Sequence, residues 1–188
     1  MNIIIKYPND ETRYEVHSFD EIEDNCIYLD CQHNNLTSLE PIRRFTQLQE
    51  LDCFYNQLTS LEPIRHLTQL QYLNCDYNDL TSLEPIRNLT QLQVLYCDNN
   101  KLSSLEGIEN LTQLLELGCN CNQITSLKCV KYLTQLRRLS CTHNQLTTLP
   151  LSLINCKNLF DIYYYQNPIE NIPTQLQRFI DRIYQGNT

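Results

Sequence analysis

The chain has 188 residues, of which 41% are hydrophobic and 19% charged, and its formal net charge is −8. This composition is ordinary for one soluble domain, and the acidic excess disfavours nucleic acid, because phosphate groups attract lysine and arginine. The chain contains no apolar run long enough to predict a membrane span, so we expect no membrane partner. Because of the acidic excess, we expect no nucleic-acid partner either.

Residues 1–28 are predicted to form an N-terminal cap. NIIIKY is rich in β-branched residues, Pro8-Asn9-Asp10 is a turn signal and TRYEV follows, which indicates a β-hairpin over residues 2–16. Ser18 precedes Glu21 by three residues, the spacing of a capping box that opens a short helix. Such a segment is typical of the first end of a repeat array, where it would cover an open sheet edge.

Residues 29–161 are predicted to form six repeats, and residues 162–188 a partial seventh with a C-terminal cap. Each repeat opens at a leucine, called position 1 below, and restarts after 22 residues, with one extra residue before the seventh. The opening residues are Leu29, Leu51, Leu73, Leu95, Leu117, Leu139 and Ile162. Self-similarity at this period predicts a solenoid in which every repeat contributes one strand.

The C-terminal cap is predicted to contain an amphipathic helix. Pro173 precedes Leu176, Phe179, Ile180 and Ile183, which fall at i, i+3, i+4 and i+7 of one helical face. We expect this helix to cover the last repeat, as atypical terminal segments do. A partner-binding helix is the alternative.

The motif Leu70-x-x-Leu73-x-Cys75-x-x-Asn78-x-Leu80-x-x-Leu83 resembles the leucine-rich-repeat consensus, with cysteine in place of one leucine. It recurs with small changes from about residue 26 to 171. The repeat length is similar to that of internalins and of a nuclear phosphatase regulator, whereas LTTLPLSLINCKNL is similar to the plain 23-residue type. The resemblance implies an α/β fold, a right-handed leucine-rich-repeat solenoid with a curved, parallel concave sheet, closed by an N-terminal hairpin and helix and a C-terminal helix.

Eight of the ten cysteines are predicted to pack in the core. Six occupy position 3, where a strand points its side chain inward, and Cys26 and Cys156 stand where other repeats have leucine. The six are Cys31, Cys53, Cys75, Cys97, Cys119 and Cys141. Unpaired thiols are typical of a reducing compartment, and MNIIIKYPND lacks the apolar core of a secretory signal, so we expect a cytoplasmic protein.

Cys121 and Cys129 are the remaining cysteines, and with Cys119, Cys141 and His143 they could supply soft metal ligands. Their spacing matches no zinc finger or ribbon, and two of the five are already assigned to the core. We therefore expect no metal and no cofactor. A metal or redox role for Cys121, Cys129 and His143 stays open.

An unbroken asparagine column stands at position 6, where the chain leaves each strand. Its members are Asn34, Asn56, Asn78, Asn100, Asn122, Asn144 and Asn167. A buried amide needs partners, and stacked asparagines can bond the backbone of neighbouring turns. We therefore assign this column to stability and not to recognition.

Function is expected on the concave face, which position 0 (the residue before the opening leucine) and positions 2 and 4 should line, with position 5 at its rim. Aromatic side chains clustered on a surface usually signal contact, and carboxylates steer a cationic partner. The predicted partner-binding residues are Tyr28, Asp30, Glu50, Asp52, Phe54, Tyr55, Tyr72, Asn74, Asp76, Tyr77, Tyr96, Asp98, Glu116, Tyr163 and Tyr165.

The sequence predicts a binding scaffold and not an enzyme, because it contains no phosphate-binding glycine loop, His-Glu-x-x-His or Gly-x-Ser-x-Gly motif. Glu-Arg pairs on the convex side are expected to form a solvated flank. Two hypotheses remain. The first is an intracellular, monomeric module that binds a basic or amphipathic protein or peptide segment. The second is a surface or secreted sensor of internalin type for a ligand or glycan.

Overall fold

The computed structural model describes residues 1–186, in which nine strands form one sheet. The strands are β1 Ile3–Lys6, β2 Tyr14–Val16, β3 Tyr28–Asp30, β4 Glu50–Asp52, β5 Tyr72–Asn74, β6 Val94–Tyr96, β7 Glu116–Gly118, β8 Arg138–Ser140 and β9 Asp161–Tyr163. Their order in the sheet is β2-β1-β3-β4-β5-β6-β7-β8-β9, and β3 to β9 are short because each supplies one layer of a repeat.

The parallel part of the sheet keeps the repeat register without a slip. Leu29 pairs with Leu51, Leu51 with Leu73, and the pattern continues until Leu139 pairs with Ile162. Because side chains alternate along a strand, this register places every position 1 on the inner face. The leucine-rich-repeat solenoid predicted from the sequence is confirmed.

The hydrogen-bond ladder continues past the strands as far as position 5. The backbone N–H of Cys53 donates to the carbonyl of Asn74 at 2.8 Å, and that of Tyr55 to Asp76 at 3.0 Å. Position 5 then turns the chain through a left-handed backbone conformation. The residues with this positive φ, between 52° and 56°, are His33, Tyr55, Tyr77, Asn99, Cys121, His143 and Gln166.

The asparagine column closes the turn that follows, as predicted. The Asn78 amide donates to the carbonyls of Cys53, Cys75 and Asp76, each at 3.1 Å, and its oxygen accepts the backbone N–H of Leu58 at 2.9 Å. Each asparagine thus joins two neighbouring repeats. At the first repeat, where no earlier repeat exists, Asn2 of the cap exchanges two hydrogen bonds with the side chain of Asn34.

The core lies between the sheet and the convex return segments, and the predicted cysteine column is part of it. Nine of the ten cysteines are buried and unpaired, including Cys129, and Cys121 is exposed. The thiols of Cys75 and Cys97 each donate to a carbonyl of the next strand at 3.2 Å. The prediction of eight core cysteines is confirmed.

Short 3-10 helices form the return segments on the convex side. They are Glu40–Ile42, Glu62–Ile64, Glu84–Ile86, Lys128–Tyr132 and Leu151–Asn155. The expected surface pairs are present, with Glu40 2.9 Å from Arg43 and Glu84 3.2 Å from Arg87. The fourth repeat differs, since Gly107 adopts a φ of 103° where the three preceding repeats have proline.

The two ends are capped as predicted, with one local difference. Strand β1 pairs antiparallel with both β2 and β3, so the hairpin covers the first strand of the solenoid. Ser18 caps a single 3-10 turn, Phe19–Glu21, by accepting the backbone N–H of Asp20, where a capping box would use Glu21.

Helix α1, Thr174–Gly186, closes the other end. Leu176 and Ile180 are fully buried on the last repeat, and Ile183 is 8% exposed. No helix in residues 1–186 is long and apolar enough to cross a membrane. The division of the chain at residues 28 and 161 stays a prediction, and residues 187–188 of the C-terminal cap lie outside the described part.

Candidate ligand-binding face

Four aromatic side chains form a continuous group, called the rim cluster, at the concave edge of the first three repeats: His33, Phe54, Tyr55 and Tyr77. The His33 ring lies 4.7 Å from that of Tyr55 and 5.2 Å from that of Phe54. Tyr77 contacts Phe54 at 5.3 Å and Tyr55 at 6.0 Å between ring centroids. Tyr55 and Tyr77 still expose 53% and 46% of their surface, so much of the cluster faces solvent.

The backbone beneath the rim cluster is strained. Tyr55 and Tyr77 have φ values of 52° and 53°, a region that bulky side chains seldom adopt. Asn99 occupies the equivalent position of the next repeat with φ 53°, and asparagine tolerates this conformation well. The first repeats therefore carry large rings at a cost in stability, which is typical of a functional position.

Three carboxylates, called the acidic row, lie beside the rim cluster at positions 2 and 4: Asp52, Asp76 and Asp98. Each of them accepts a backbone N–H. Asp52 bonds Phe54 at 3.0 Å, Asp76 bonds Asp98 at 2.5 Å and Asp98 bonds Asn120 at 2.7 Å. In every case the N–H belongs to a residue at position 4.

The same N–H group is satisfied in six consecutive repeats, but by two different means. In the first three repeats a side chain at position 2 of the same repeat accepts it, namely Asp30, Asp52 or Asn74. In the next three, position 2 is Tyr96, Gly118 or Ser140. There the position-4 side chain of the preceding repeat accepts it, namely Asp76, Asp98 or Asn120. The acidic row therefore stabilises the sheet as well as charging its surface.

Burial weakens the ionisation of the acidic row. Desolvation, together with the charge of Asp98, raises the pKa of Asp76 from 3.8 to about 7. Desolvation also raises the pKa of Asp52 and of Asp98, against the hydrogen bonds that each accepts. Asp76 is thus harder to ionise than an exposed carboxyl, and a nearby cation would favour its charged form.

Two predicted residues at the N-terminal end are less available than expected. Asp30 is 8% exposed, because it lies on the strand that pairs with the cap and accepts both the backbone N–H and the side-chain amide of Gln32. The guanidinium of Arg13 lies 4.8 Å above the ring of Tyr28 and covers one of its faces. The prediction that Asp30 lies exposed on the concave surface is therefore wrong.

The other predicted residues spread along the face. Tyr72 and Tyr96 form an edge-to-face pair at 6.0 Å, Asn74 donates to Asp52 at 3.3 Å, and Glu50 is exposed. At the far end Tyr163 and Tyr165 expose 44% and 55% of their surface. Four strand spacings, roughly 19 Å, separate Tyr165 from the rim cluster, so one extended segment could touch both.

Two residues of the later repeats, Arg138 and Asp161, are missing from the predicted partner-binding set. Arg138 lies 3.3 Å from Asp161 and 3.9 Å from Glu116, and Tyr96 donates to Glu116 on the adjacent strand at 2.7 Å. The signal was in position 0, where glutamate, arginine and aspartate follow one another in repeats 5 to 7. Adjacent parallel strands place such residues side by side.

Comparison with known families identifies the repeats. The family described as Leucine Rich repeats (2 copies) matches residues 24–66, 46–88, 68–110 and 90–132, which together cover more than half of the chain. The chain is a leucine-rich-repeat protein. No curated protein gives a significant match.

Several solved leucine-rich-repeat structures are similar to it. An internalin (inlF) of Listeria monocytogenes is 30% identical, with a TM-score of 0.64 over 77% of this chain and 50% of that one. The functional domain of InlJ from the same species, which includes a cysteine ladder, is 33% identical, with a TM-score of 0.59 over 78% of this chain and 36% of that one. A leucine-rich-repeat protein of Leptospira interrogans is 27% identical, with a TM-score of 0.66 over 78% of this chain and 45% of that one.

This leucine-rich-repeat protein thus spans half or less of the length of these three structures. What it shares with them is the repeat architecture, which is generally a protein-interaction scaffold. The rim cluster and the acidic row lie on the concave face of this chain.

Proposed function

We propose that this leucine-rich-repeat protein is a non-catalytic interaction module that binds a basic or amphipathic polypeptide segment on its concave face. One observation carries the proposal. The rim cluster and the acidic row lie side by side over the first four repeats, and they combine exposed aromatic area with uncompensated negative charge. Aromatic anchors surrounded by polar groups are characteristic of interface hot spots.

The acidic row supports a cationic partner on electrostatic grounds. None of its three carboxylates forms an ion pair with a lysine or arginine within residues 1–186. A bound lysine or arginine would favour the ionised form of Asp76 and lower its raised pKa. Binding is therefore expected to release a proton near neutral pH, and to weaken with salt.

The rim cluster would supply contact area. Tyrosine has few rotatable bonds, so an exposed ring loses little entropy on contact. Its neighbours hold each ring in place, which reduces that loss further. Apolar side chains of an amphipathic segment would lie here while its basic side chains reach the acidic row.

Further parts of the proposal are a monomer in a reducing, cytoplasmic location, with neither nucleic acid nor membrane as partner. The unpaired thiols at successive position 3 support a reducing location, and the net charge of −8 opposes phosphate-rich partners.

An array of synthetic peptides tests the proposal. One set is rich in lysine and arginine with interspersed apolar residues, a matched set has glutamate and aspartate in their place, and a third has glutamine. We expect binding to the basic set, weakened by salt. In Asp52→Asn/Asp76→Asn/Asp98→Asn the amide oxygens can still accept the backbone N–H groups, and affinity should fall about tenfold or more as the charges are lost.

The control is Glu40→Gln/Glu62→Gln/Glu84→Gln, which removes the same charge from the convex side. Equal loss of binding in both variants would attribute the effect to net charge and refute the concave site. Binding to a glycan array with no preference for basic peptides would instead support the sensor hypothesis.

A further inference from the structure

A hollow of about 390 Å³ opens in the concave face between β6 and β9, and we call it the Gly118 pocket. Gly118 occupies position 2, which carries a side chain in the other repeats. A Cβ at Gly118 would approach Cδ1 of Tyr96 to 3.0 Å and Oδ1 of Asp98 to 3.1 Å. The backbone of Gly118 is not left-handed, so the consequence of glycine here is that Tyr96 and Asp98, two residues that line the pocket, can lie directly against the strand.

Three carboxylates and one guanidinium line the pocket: Asp98, Glu116, Asp161 and Arg138. Arg138 lies between Glu116 and Asp161 at 3.9 and 3.3 Å. Asp98 accepts the backbone and side-chain N–H groups of Asn120, both at 2.7 Å, and forms no ion pair with any described residue. The pocket therefore has two more negative than positive formal charges.

The walls of the pocket favour an organic cation. Tyr96 and Tyr163 line it, and the hydroxyl of Tyr96 is held at 2.7 Å by Glu116, which fixes the ring. Aromatic faces attract cations, and planar guanidinium groups stack on them especially well. Metal ions fit poorly, since no three histidine, cysteine, aspartate or glutamate side chains of residues 1–186 are grouped to hold one.

We infer that the Gly118 pocket receives one arginine side chain of the bound segment, with its guanidinium against the exposed side of the Tyr96 ring and beside the carboxylates of Glu116 and Asp98. The inference rests on the proposed function, because the pocket continues the same concave face. It deepens that function by adding a specific anchor to a surface that otherwise selects by charge and contact area. Arginine fits better than lysine, since a planar fork can bond two carboxylates at once.

The test is an NMR titration of the intact chain with N-acetyl-arginine amide. N-acetyl-citrulline amide is the matched probe, because it has nearly the same shape and no charge. We expect saturable shifts of the backbone amides of Gly118, Asn120 and Ser140 with the arginine probe and none with the citrulline probe. Glu116→Gln should weaken binding about fivefold, as expected for one partly exposed charge pair, whereas Glu62→Gln on the convex side should not.

Gly118→Leu should abolish the shifts, because its side chain would displace Tyr96 and Asp98, which both line the pocket. If that variant does not fold, Glu116→Gln and the citrulline probe still test whether arginine binds in the pocket. Equal shifts with both probes, or shifts confined to the first three repeats, would overturn the inference. If basic peptides bind the original chain and Gly118→Leu alike, the proposed function stands and the pocket does not. If no basic peptide binds while the arginine probe does, the proposed function is wrong and the arginine site stands.

Discussion

The carboxylate of Asp76 accepts the backbone N–H of Asp98 at 2.5 Å, and the side chains of the same two residues repel each other electrostatically. The hydrogen bond stabilises the backbone at position 4, whereas burial and the like charge of Asp98 make ionisation of Asp76 unfavourable. One contact between adjacent repeats thus serves the fold and sets the charge of the concave face.

Acidification from neutral pH should stabilise the protein. The folded pKa of Asp76, about 7, lies above its ordinary value of 3.8, so the folded state binds more protons between these values. The resulting contribution to the stability of the fold is fully present below pH 3.8 and is lost as the pH rises through about 7. The raised pKa values of Asp52 and Asp98 act in the same direction. Melting temperatures measured across this range should fall with rising pH, and Asp76→Asn should flatten the slope. An unchanged slope in the variant would contradict the prediction.

Asn78→Ala should lower the free energy of unfolding by about 3 kcal/mol, because it leaves the Leu58 N–H and several buried carbonyls without partners. Urea denaturation measures this loss. Asn88→Ala on the exposed convex side is the control and should change stability by less than about 0.5 kcal/mol. Similar losses in both variants would remove the structural role assigned to the asparagine column.

Gly107→Ala should destabilise the fourth repeat by about 3 kcal/mol or more. The φ of 103° is unfavourable for alanine, and its Cβ would lie 2.6 Å from the backbone oxygen of Leu83, which cannot move aside without shifting the adjacent repeat. Gly118→Ala is the contrast, since its nearest atom, at 3.0 Å, belongs to the side chain of Tyr96. Thermal denaturation should therefore rank Gly107→Ala as clearly the more damaging change.

Tyr77→Asn should separate stability from binding. Asparagine tolerates the left-handed backbone, as Asn99 does at the same position, so relief of strain should offset the lost ring contacts and leave stability within about 1 kcal/mol. Binding of the basic amphipathic peptides should nevertheless weaken, because an exposed ring of the rim cluster is gone. Full binding by Tyr77→Asn would exclude this ring from the interface.

Cys121 should react fast with a thiol reagent while the nine buried cysteines react at the rate of unfolding. Its side chain is exposed at position 5, and desolvation and Asp98 raise its pKa, whereas full burial raises the pKa of the thiols of Cys53 and Cys75 well above the usual value and closes them to the reagent. With a disulfide reagent that releases a coloured thiolate, the absorbance gives the number of cysteines that react fast. Cys121→Ser should eliminate the fast phase, and a second fast thiol would show that the cysteine column opens locally.

Some details of the site could not be predicted from pattern alone. Alternation along a strand correctly places Asp52, Asp76 and Asp98 outside the core, yet it cannot say whether an outward carboxylate is free or bonded to a neighbouring peptide. That depends on side chains of neighbouring repeats: the hydroxyl of Tyr96, at position 2, bonds Glu116 of the next repeat, and Asp76 of the preceding repeat accepts the N–H of Asp98. The burial of Asp30 could not be predicted from the pattern, because it results from the pairing of the cap strand β1 with β3.

The sequence by itself determined the period, the strand register and the inward columns of leucine, cysteine and asparagine, because these follow from local spacing and from the burial of apolar side chains. Tertiary structure decided which carboxylates are half-buried, which rings meet at the rim, and that Tyr96 and Asp98 lie against Gly118 at the edge of a charged hollow. Those properties arise where residues 20 or more apart in the chain come within hydrogen-bond distance, and no single repeat contains them.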